Sequence, residues 1–277
     1  MPFFNRIFEQ DYKNALSLLN QLSSNFQAIR DFEKRKNERS HNLENTRYYL
    51  SLLGITERDL NRLNVIHVAG TKGKGSTCAY VESILRENGY KTGFFSSPHL
   101  VFPRERIRLD GQMISEQKFS DYFHHVFYML KENSEIFLPA YFNFFCVMSF
   151  YVFVREKVDV AIIEVGIGGE YDSTNVVSKP ICTGITSLDL DHCNILGTTL
   201  EQIAWHKSGI FKKDVVSFTV DQKPEAAIVL KERSEEKGCS LFVVPEWSLY
   251  PYANHIKLGI NGSLCRPKIV IFDFLFS

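Results

Sequence analysis

One stretch of the chain, residues 65–77, constrains the fold more than any other, and it reads Val-Ile-His-Val-Ala-Gly-Thr-Lys-Gly-Lys-Gly-Ser-Thr. Its apolar beginning predicts a buried strand, and its end at Ser76 and Thr77 predicts the start of a helix. Glycine tolerates backbone conformations that other residues avoid, so the chain can turn sharply there and bring N–H groups close to an anion. Helix N-termini also favour phosphate. The stretch therefore predicts a strand, a phosphate-binding turn and a helix in succession.

Lys74 lies inside this turn, where its ammonium can place a point charge between two phosphates. A hydroxyl from Ser76 or Thr77 can bind phosphate or Mg2+. The strict phosphate-loop pattern, G-x-x-x-x-G-K-[ST], is not matched, because Gly75 separates Lys74 from Ser76. The alternative from this stretch alone is a glycine-rich turn that only connects a strand to a helix.

The composition excludes several classes of partner and site. The 32 basic and 32 acidic side chains balance, so no overall field favours nucleic acid or an anionic membrane. The 6 cysteines include no C-x-x-C pair, which argues against a structural zinc site and a disulfide scaffold and suits a reducing compartment. The first residues lack a secretory pattern, and the early acids Glu9 and Asp11 do not suit a mitochondrial presequence. We therefore expect a cytoplasmic protein without a transmembrane segment, with a mitochondrial form as the alternative.

Apolar residues alternate between strand and helix spacing along most of the chain. Strands are predicted at 65–69, 91–96, 158–165, 181–188, 215–220 and 241–244, and helices at 11–22, 43–53, 76–88, 115–131, 141–154, 199–211 and 225–237. Residues 104–114 predict a small β-hairpin that turns at Asp110-Gly111. This alternation predicts an α/β fold with a doubly wound, mostly parallel sheet. The apolar helix at 141–154 is too short to span a bilayer.

Three polar residues lie at or just after the ends of three predicted strands: Ser97, Glu164 and His192. In an open α/β sheet such positions meet at one edge, beside the phosphate-binding turn. A hydroxyl, a carboxylate and an imidazole can there surround a metal-bound nucleotide. Each residue also has a plain alternative, since Ser97 can cap a turn, Glu164 can pair with a basic side chain and His192 can be a hydrogen-bonded core residue. Together with a phosphate-binding turn, the three favour a nucleotide and metal site.

Six motifs of the chain occur together in the order of one known family. They are Gly70-Thr71-Lys72-Gly73-Lys74-Gly75-Ser76, Phe94-Phe95-Ser96-Ser97-Pro98-His99-Leu100, Glu164-Val165-Gly166-Ile167-Gly168-Gly169, Asp172-Ser173-Thr174-Asn175, Asp191-His192 and Ile203-Ala204-Trp205-His206-Lys207-Ser208-Gly209-Ile210. With this order and spacing the chain resembles the folylpolyglutamate synthase family of the Mur ligase superfamily, and its eukaryotic members more than its bacterial ones. The resemblance covers about residues 10–260 and implies a Mur-ligase-like ATPase domain.

The resemblance implies a ligase that uses MgATP to phosphorylate the terminal carboxylate of a folate's glutamate. The amine of L-glutamate then attacks the acyl phosphate and forms a γ-linked amide. Phosphorylation supplies the leaving group that a carboxylate lacks, and cations lower the repulsion between two anionic reactants. ATP and Mg2+ are the implied cofactors, with a monovalent cation as a further candidate. Tetrahydrofolate and L-glutamate are the implied substrates, and we expect a monomer that does not bind nucleic acid.

The resemblance also implies roles for individual residues. The nucleotide-binding set is Gly70, Thr71, Lys72, Gly73, Lys74, Gly75, Ser76 and Thr77. The metal-binding set is Ser97, Glu164 and His192, and the catalytic set is Lys74, His192 and Lys207. The folate-contacting set is Ser96, Pro98, His99 and Arg104. Lys207 matches a lysine that is carbamylated in the family, whereas without the resemblance it would be interpreted as an exposed helix lysine.

The end of the chain departs from the family. The segment Leu258-Gly259-Ile260-Asn261-Gly262 matches the family, but the expected His-Gln and Asn motif does not follow it. We therefore expect a Mur-ligase-like ATP-binding domain at 1–262, a divergent tail at 263–277 and no C-terminal glutamate-ligase domain. The apolar run at 269–276 predicts either a final strand or an aggregation-prone segment. The first functional hypothesis is a folylpolyglutamate synthase, and the second is a nucleotide-binding module that binds MgATP without ligating glutamate.

Overall fold

The computed structural model describes residues 2–22 and 41–244 of the chain. Within these residues, helices α1–α9 span Pro2–Gln21, His41–Leu52, Glu57–Arg62, Lys74–Glu87, Glu116–Asn133, Tyr141–Glu156, Cys193–Leu196, Leu200–Lys207 and Pro224–Lys237. Strands β1–β8 span Ile66–Ala69, Thr92–Phe95, Ile107–Leu109, Gln112–Met113, Val160–Glu164, Cys182–Ile185, Val216–Val220 and Leu241–Val244. Short 3-10 helices cover Pro103–Arg106, Ser173–Val176 and Ser208–Ile210. The predicted domain boundary at 262 and the predicted tail lie outside the described residues.

The strands form one sheet in the order β4-β3-β2-β5-β1-β6-β7-β8. The six strands from β2 to β8 in this order pair in parallel, and β3 and β4 add an antiparallel hairpin at one edge. The hairpin turns at Asp110 and Gly111, which have φ of +48° and +76°. Two adjacent residues with positive φ are typical of the tight turns that suit the twist of paired strands. The prediction of a doubly wound, mostly parallel sheet with a small hairpin is confirmed.

The sheet is covered by helices on both faces, and alternate residues of its strands face opposite layers. In β5, Val160 and Ile162 belong to the apolar cluster that includes Cys78 and Leu85 of α4. The intervening Ala161 and Ile163 belong to the larger cluster formed with α1, α2, α5 and α6. A central strand that is buried on both faces reads as a continuous apolar run, as residues 160–163 do. No helix among the described residues is long and apolar enough to cross a membrane.

The helix boundaries differ from the sequence prediction at several places. Helix α4 begins at Lys74 rather than Ser76, so the lysine lies in the first turn of the helix. The helix predicted at 199–211 divides into α8 and a 3-10 turn. Helix α3 was not predicted, although Thr56 and Asp59 form a capping box that signals its start. Helix α7 has only 4 residues, too few to produce a periodic pattern in the sequence.

Candidate active site

The turn that follows β1 requires glycine at its first residue. Gly70 has φ of +147°, and a Cβ atom there would lie 1.8 Å from Thr186 Oγ1. Gly73, with φ of +86°, is the N-cap of α4, and no side chain forms a capping hydrogen bond at that helix end. The first-turn N–H groups of α4 are therefore left without a capping side chain. This is the arrangement that anion-binding helix ends use.

Backbone hydrogen bonds attach the turn to the segment that follows β6. The N–H groups of Thr71 and Lys72 both donate to the carbonyl of Ser187, at 3.0 and 3.2 Å. The Thr71 hydroxyl donates to the carbonyl of Asp189 at 3.0 Å and accepts from the Asp189 N–H at 3.1 Å. These bonds attach two residues of the turn to the segment after β6, so contacts with that segment help to fix the conformation of the turn.

Glu164 ends the central strand β5 and lies buried directly under the turn. Its Oε2 accepts a hydrogen bond from the Ser97 N–H at 3.1 Å, and a Cβ atom on Gly75 would lie 3.4 Å from the same oxygen. Burial raises the pKa of Glu164, against the opposing effects of the Ser97 N–H, Lys74 and Arg106. A buried carboxylate whose pKa is raised gains from a cation that approaches it. The position therefore suits a metal ligand beside bound phosphate.

Lys207, at the end of α8, is buried beneath the same turn and is only 3% exposed. Its ammonium donates to the carbonyl of Gly70 at 2.7 Å. Burial and the positive charge of Lys74 lower the pKa of Lys207 to about 8, while Asp191 and Asp172 act in the opposite direction. The sequence pattern alone indicates an exposed helix lysine, and the structure shows instead an amine that is partly neutral near pH 8.

A cavity of about 400 Å³ opens at the carboxyl edge of the sheet, next to the turn. Its wall includes four of the predicted site residues: Lys74, Ser97, Pro98 and His192. His192 has φ of +49° and directly precedes α7, and its side chain is about half exposed. The structure thus places residues from three separate strand ends at one cavity, with Glu164 beneath them. This arrangement follows from a parallel sheet, whose strands all end at the same edge.

Arg104, which the resemblance assigns to the folate region, lies away from this cavity. One guanidinium nitrogen donates to the carbonyl of Ile114 at 3.1 Å, and another lies 3.7 Å from Glu116 Oε1. These contacts hold Arg104 against the hairpin and the start of α5. Ser96 and His99 also lie outside the cavity wall.

Arg106 is the arginine that reaches the cavity, and sequence reasoning did not single it out from its neighbours. Its side chain is buried, and its guanidinium lies over the rings of Tyr141 and Phe145 at 5.5 and 5.4 Å. Its Nε donates to His99 Nδ1 at 2.9 Å, so His99 contacts the site through Arg106. Burial and this arginine lower the pKa of His99, which keeps the imidazole neutral as an acceptor. Arginines spaced two apart in a hairpin carry no sequence signal for which one is buried.

The wall of the cavity also carries a closed ring of polar side chains that sequence reasoning missed. Asn143 Nδ2 donates to Asn42 Oδ1 at 2.6 Å, Asn42 Nδ2 donates to Ser173 Oγ at 3.2 Å, and the Ser173 hydroxyl donates to Asn143 Oδ1 at 2.6 Å. Nearby, the buried carboxylate of Asp172 accepts from the Ile167 N–H at 3.0 Å and shapes the glycine-rich segment after β5. The cavity wall therefore combines the cationic side chains of Lys74 and Arg106 with the amides of Asn42 and Asn143.

The predicted metal set combines one carboxylate, one hydroxyl and one imidazole. Among residues 41–244, no group of three or more His, Cys, Asp or Glu side chains is placed to hold a metal ion. The backbone N–H of Ser97 nevertheless donates to Glu164 Oε2, which places the serine beside the buried carboxylate, and burial raises the pKa of that carboxylate. Carboxylate and hydroxyl oxygens suit Mg2+, which usually keeps several waters and takes few protein ligands. The residues present therefore fit a sparsely ligated Mg2+.

Comparison with models of protein families finds no match. Among curated proteins, the chain is 51% identical over 253 residues to a putative folylpolyglutamate synthase of Caenorhabditis elegans, across 91% of this chain and 50% of that protein. It is 47% identical over 265 residues to the mitochondrial folylpolyglutamate synthase of Homo sapiens, across 94% of this chain and 45% of that protein. A solved structure described as an FPGS–AMPPCP–folate complex has a TM-score of 0.73 at 28% identity, across 84% of this chain and 53% of that one.

The chain spans about half the length of the curated relatives it matches. Within that half, the similarity extends over nearly the whole of this chain and includes both sequence and fold. The turn, the strand-end residues and the helix carrying Lys207 all lie inside the fold that is shared. The chain therefore belongs to the folylpolyglutamate synthase family.

Proposed function

We propose that this chain functions in a folylpolyglutamate synthase, which adds L-glutamate to the γ-carboxylate of tetrahydrofolate glutamates at the expense of ATP. The observation that carries the proposal is the buried Glu164, hydrogen-bonded to Ser97 and lying beneath a glycine-rich turn at the mouth of a cavity. This combination supports a phosphate site, a metal ligand and a pocket for an organic substrate at one sheet edge. The relative solved with folate and AMPPCP supports this substrate class.

The turn at residues 70–77 is proposed to hold the phosphates of ATP through N–H groups other than those of Thr71, Lys72 and Thr77, which donate to the carbonyls of Ser187 and Gly73. Lys74, in the first turn of α4, adds a cation that faces the cavity. A transferring phosphoryl group spreads negative charge over its oxygens, so fixed positive groups around it lower the barrier. The hydrogen bonds of the turn to Ser187 and Asp189 restrict its conformation.

Ser97, Glu164 and His192 are proposed as the protein ligands for magnesium. Mg2+ supplies neutralisation of phosphate charge when it is bound. Glu164 is fixed for this role by the Ser97 N–H, and His192 lies at the cavity wall, where it can approach a bound metal. The raised pKa of Glu164 shows that the carboxylate is incompletely compensated by the protein itself.

Lys207 is proposed to act after carbamylation, as its counterpart does in the family. Carbamylation joins the neutral amine nitrogen to the carbon of CO2 and releases one proton, so it requires a deprotonated amine. Burial supplies that form near neutral pH by lowering the pKa of Lys207 to about 8. The product would replace a cation by an anion next to Gly70.

The cavity is proposed to hold the folate, with its glutamate directed toward Lys74. Pro98 contributes directly to the wall, whereas Ser96 and His99 are proposed to act through Arg106. Arg106, rather than Arg104, supplies the cation at this wall and can meet an anionic group of the substrate. In the closed ring, Asn143 Nδ2 has a second hydrogen beyond the one it donates to Asn42, and this N–H is proposed as a donor for the heterocycle of the folate.

The test is ATP-dependent incorporation of labelled glutamate into tetrahydrofolate by the purified chain, with MgATP binding measured on the same samples. A Lys74→Ala variant is run beside the wild type. We expect the wild type to bind MgATP and the variant to lose this binding. If the wild type also incorporates glutamate and the variant does not, the chain is a complete ligase. Lys74-dependent binding without incorporation identifies the nucleotide-binding module, the second hypothesis. MgATP binding that ignores the substitution contradicts the proposed site.

The proposed compartment is the cytoplasm, and the proposed state is a monomer. All five cysteines within the described residues are free thiols, as suits a reducing compartment. Several relatives carry the description mitochondrial, so the alternative is import into that organelle. Fractionation of cells that express the tagged chain separates the two, since a mitochondrial pool would overturn the cytoplasmic assignment.

A further inference from the structure

Two lysines converge on one carboxylate at the rim of the glycine-rich turn. Lys72 Nζ lies 3.9 Å from Asp189 Oδ2, and Lys223 Nζ lies 3.5 Å from Asp189 Oδ1. The lysine side chains are 79% and 61% exposed and the carboxylate is 45% exposed, so all three groups face solvent. We call these three residues the rim cluster. It carries a net charge of +1, with its negative member between its positive ones.

The backbone places the rim cluster at the turn itself. Lys72 belongs to the turn, and both backbone groups of Asp189 bond the Thr71 hydroxyl next to it. Lys223 is the N-cap of α9. The neighbouring Gln222 holds this helix start in position, because its side chain accepts from the Leu188 N–H at 3.0 Å and donates to the Thr186 carbonyl at 3.0 Å. A ligand bound to the turn therefore has Lys72 in the turn itself. Asp189 is bonded to the turn through Thr71, and Lys223 contacts Asp189.

Asp189 competes with any anion for the two lysines. The Leu190 N–H and Lys223 lower the pKa of Asp189, which keeps it ionised at neutral pH. Exposed ion pairs are weak, so a ligand with several negative charges can displace them. The Asp189 carboxylate also repels a negatively charged ligand directly. Salt screens this repulsion incompletely when the two charges lie within a Debye length of each other.

We propose that Lys72 and Lys223 bind the polyphosphate of an incoming nucleoside triphosphate, and that Asp189 weakens this binding by engaging both lysines in the free protein. This inference rests on the proposed function, because it assumes that the turn binds nucleotide. It adds a second helix, α9, to the nucleotide site, and it assigns Asp189 a role opposed to affinity. A carboxylate in this position lets bound nucleotide leave more readily after turnover.

The test is the affinity for MgATP of an Asp189→Asn variant. The asparagine Oδ1 can still accept from the Leu190 N–H at about the present position, and the two backbone bonds to Thr71 do not involve the side chain. The substitution therefore removes the charge and leaves the turn attached. Thermal unfolding of both proteins checks that the fold is unchanged.

The expected result is a Kd for MgATP about two- to fivefold lower in Asp189→Asn than in the wild type at low salt. The difference should shrink in 0.5 M salt, where the Debye length falls to about 4 Å. An unchanged or higher Kd overturns the proposal. Titration of ATP with and without Mg2+ exposes one specific failure, since a loss confined to MgATP would make Asp189 a metal ligand instead.

Lys223→Ala completes the test, with Lys231→Ala on the same helix as its matched control. Lys223→Ala should raise the Kd for MgATP about two- to fivefold, and Lys231→Ala should leave it unchanged. If both variants raised the Kd equally, the cause would be the change in net charge of the protein, and the inference would be overturned. Lys74→Ala is measured in parallel, because its failure to affect MgATP binding would instead overturn the proposed function.

Discussion

Glu164 is the residue at which stability and proposed function conflict. Its carboxylate is buried, yet the protein offers it one backbone donor and only longer-range positive charge. A carboxylate desolvated in this way lowers the free energy of unfolding, because the charge is better solvated in the unfolded chain. Natural sites accept such a cost where a charge is required for binding.

Glu164→Gln should therefore stabilise the fold and weaken nucleotide binding. The glutamine carbonyl can keep the bond from the Ser97 N–H while the charge is lost. We expect the free energy of unfolding to rise by about 1 kcal/mol and the Kd for MgATP to rise by about tenfold or more. Urea denaturation and calorimetric titration measure the two quantities. A variant that is less stable and binds MgATP normally would make Glu164 a structural residue.

Lys207 should make the stability of the fold depend on pH at alkaline values. Its pKa is lowered from 10.5 to about 8 in the folded state. Between these values the unfolded chain binds a proton that the native chain does not, so stability rises as pH increases from about 8 to 10.5. The whole effect is at most about 3 kcal/mol.

Comparison with Lys207→Met isolates this contribution, because Lys212, whose pKa is also lowered to about 8, titrates in both proteins. The difference in free energy of unfolding between wild type and variant should move in favour of the wild type from pH 8 to 10. A difference that is constant over this range would show that burial does not perturb the amine.

Site residues could be predicted from the sequence where their place after a strand of the sheet determines which other residues lie near them. Ser97 and His192 follow strands, and the parallel sheet brings such positions to one cavity. It could not rank Arg104 and Arg106, because the rings of Tyr141 and Phe145 that cover Arg106 come from a helix far along the chain. The contact between Asn42 and Asn143 could not be predicted either, because the two residues belong to helices that are far apart in the chain.

At the scale of elements, the turn and α4 form one unit whose geometry depends on Gly70. A Cβ atom there would overlap the Thr186 side chain and would occupy a backbone conformation that L-residues rarely adopt. Gly70→Ala should lower the free energy of unfolding by about 2–3 kcal/mol.

Gly184→Ala in β6 is the matched control, since its Cβ would meet Val68 at an ordinary 3.8 Å and its backbone is not in the positive-φ region. It should change the free energy of unfolding by less than about 1 kcal/mol. Denaturation of both variants in urea gives the comparison. Similar losses in the two proteins would mean that the turn tolerates a side chain at Gly70.

Helices with a long apolar pattern were predicted, whereas the short helices α3 and α7 were not. The stripe Phe119, Phe123, Val126 and Leu130 predicts α5, and these residues are buried in the structure. By contrast, α7 is set by its surroundings: His192 and Gly197 have positive φ on either side, and Leu196 packs against the segment of Gly168. A single helical turn fixed in this way has no periodicity to detect.

At the scale of the whole molecule, equal numbers of acidic and basic residues leave anion binding to local charge. The structure collects Lys72, Lys74, Arg106 and Lys223 around the turn and the cavity, although they come from three distant parts of the chain. The parallel sheet order makes this collection possible, since β2, β5, β1 and β6 are neighbours whose carboxyl ends lie side by side. The predicted fold class was sufficient to foresee the convergence of strand ends, but not the contribution of α9.

The most direct test of the account is calorimetric titration of the purified chain with MgATP, comparing wild type, Lys74→Ala and the exposed control Lys179→Ala. We predict that Lys74→Ala raises the Kd for MgATP about tenfold or more, with an unchanged thermal unfolding temperature. Lys179→Ala should bind MgATP like the wild type. MgATP binding of equal strength in Lys74→Ala would contradict the assignment of the turn as the nucleotide site.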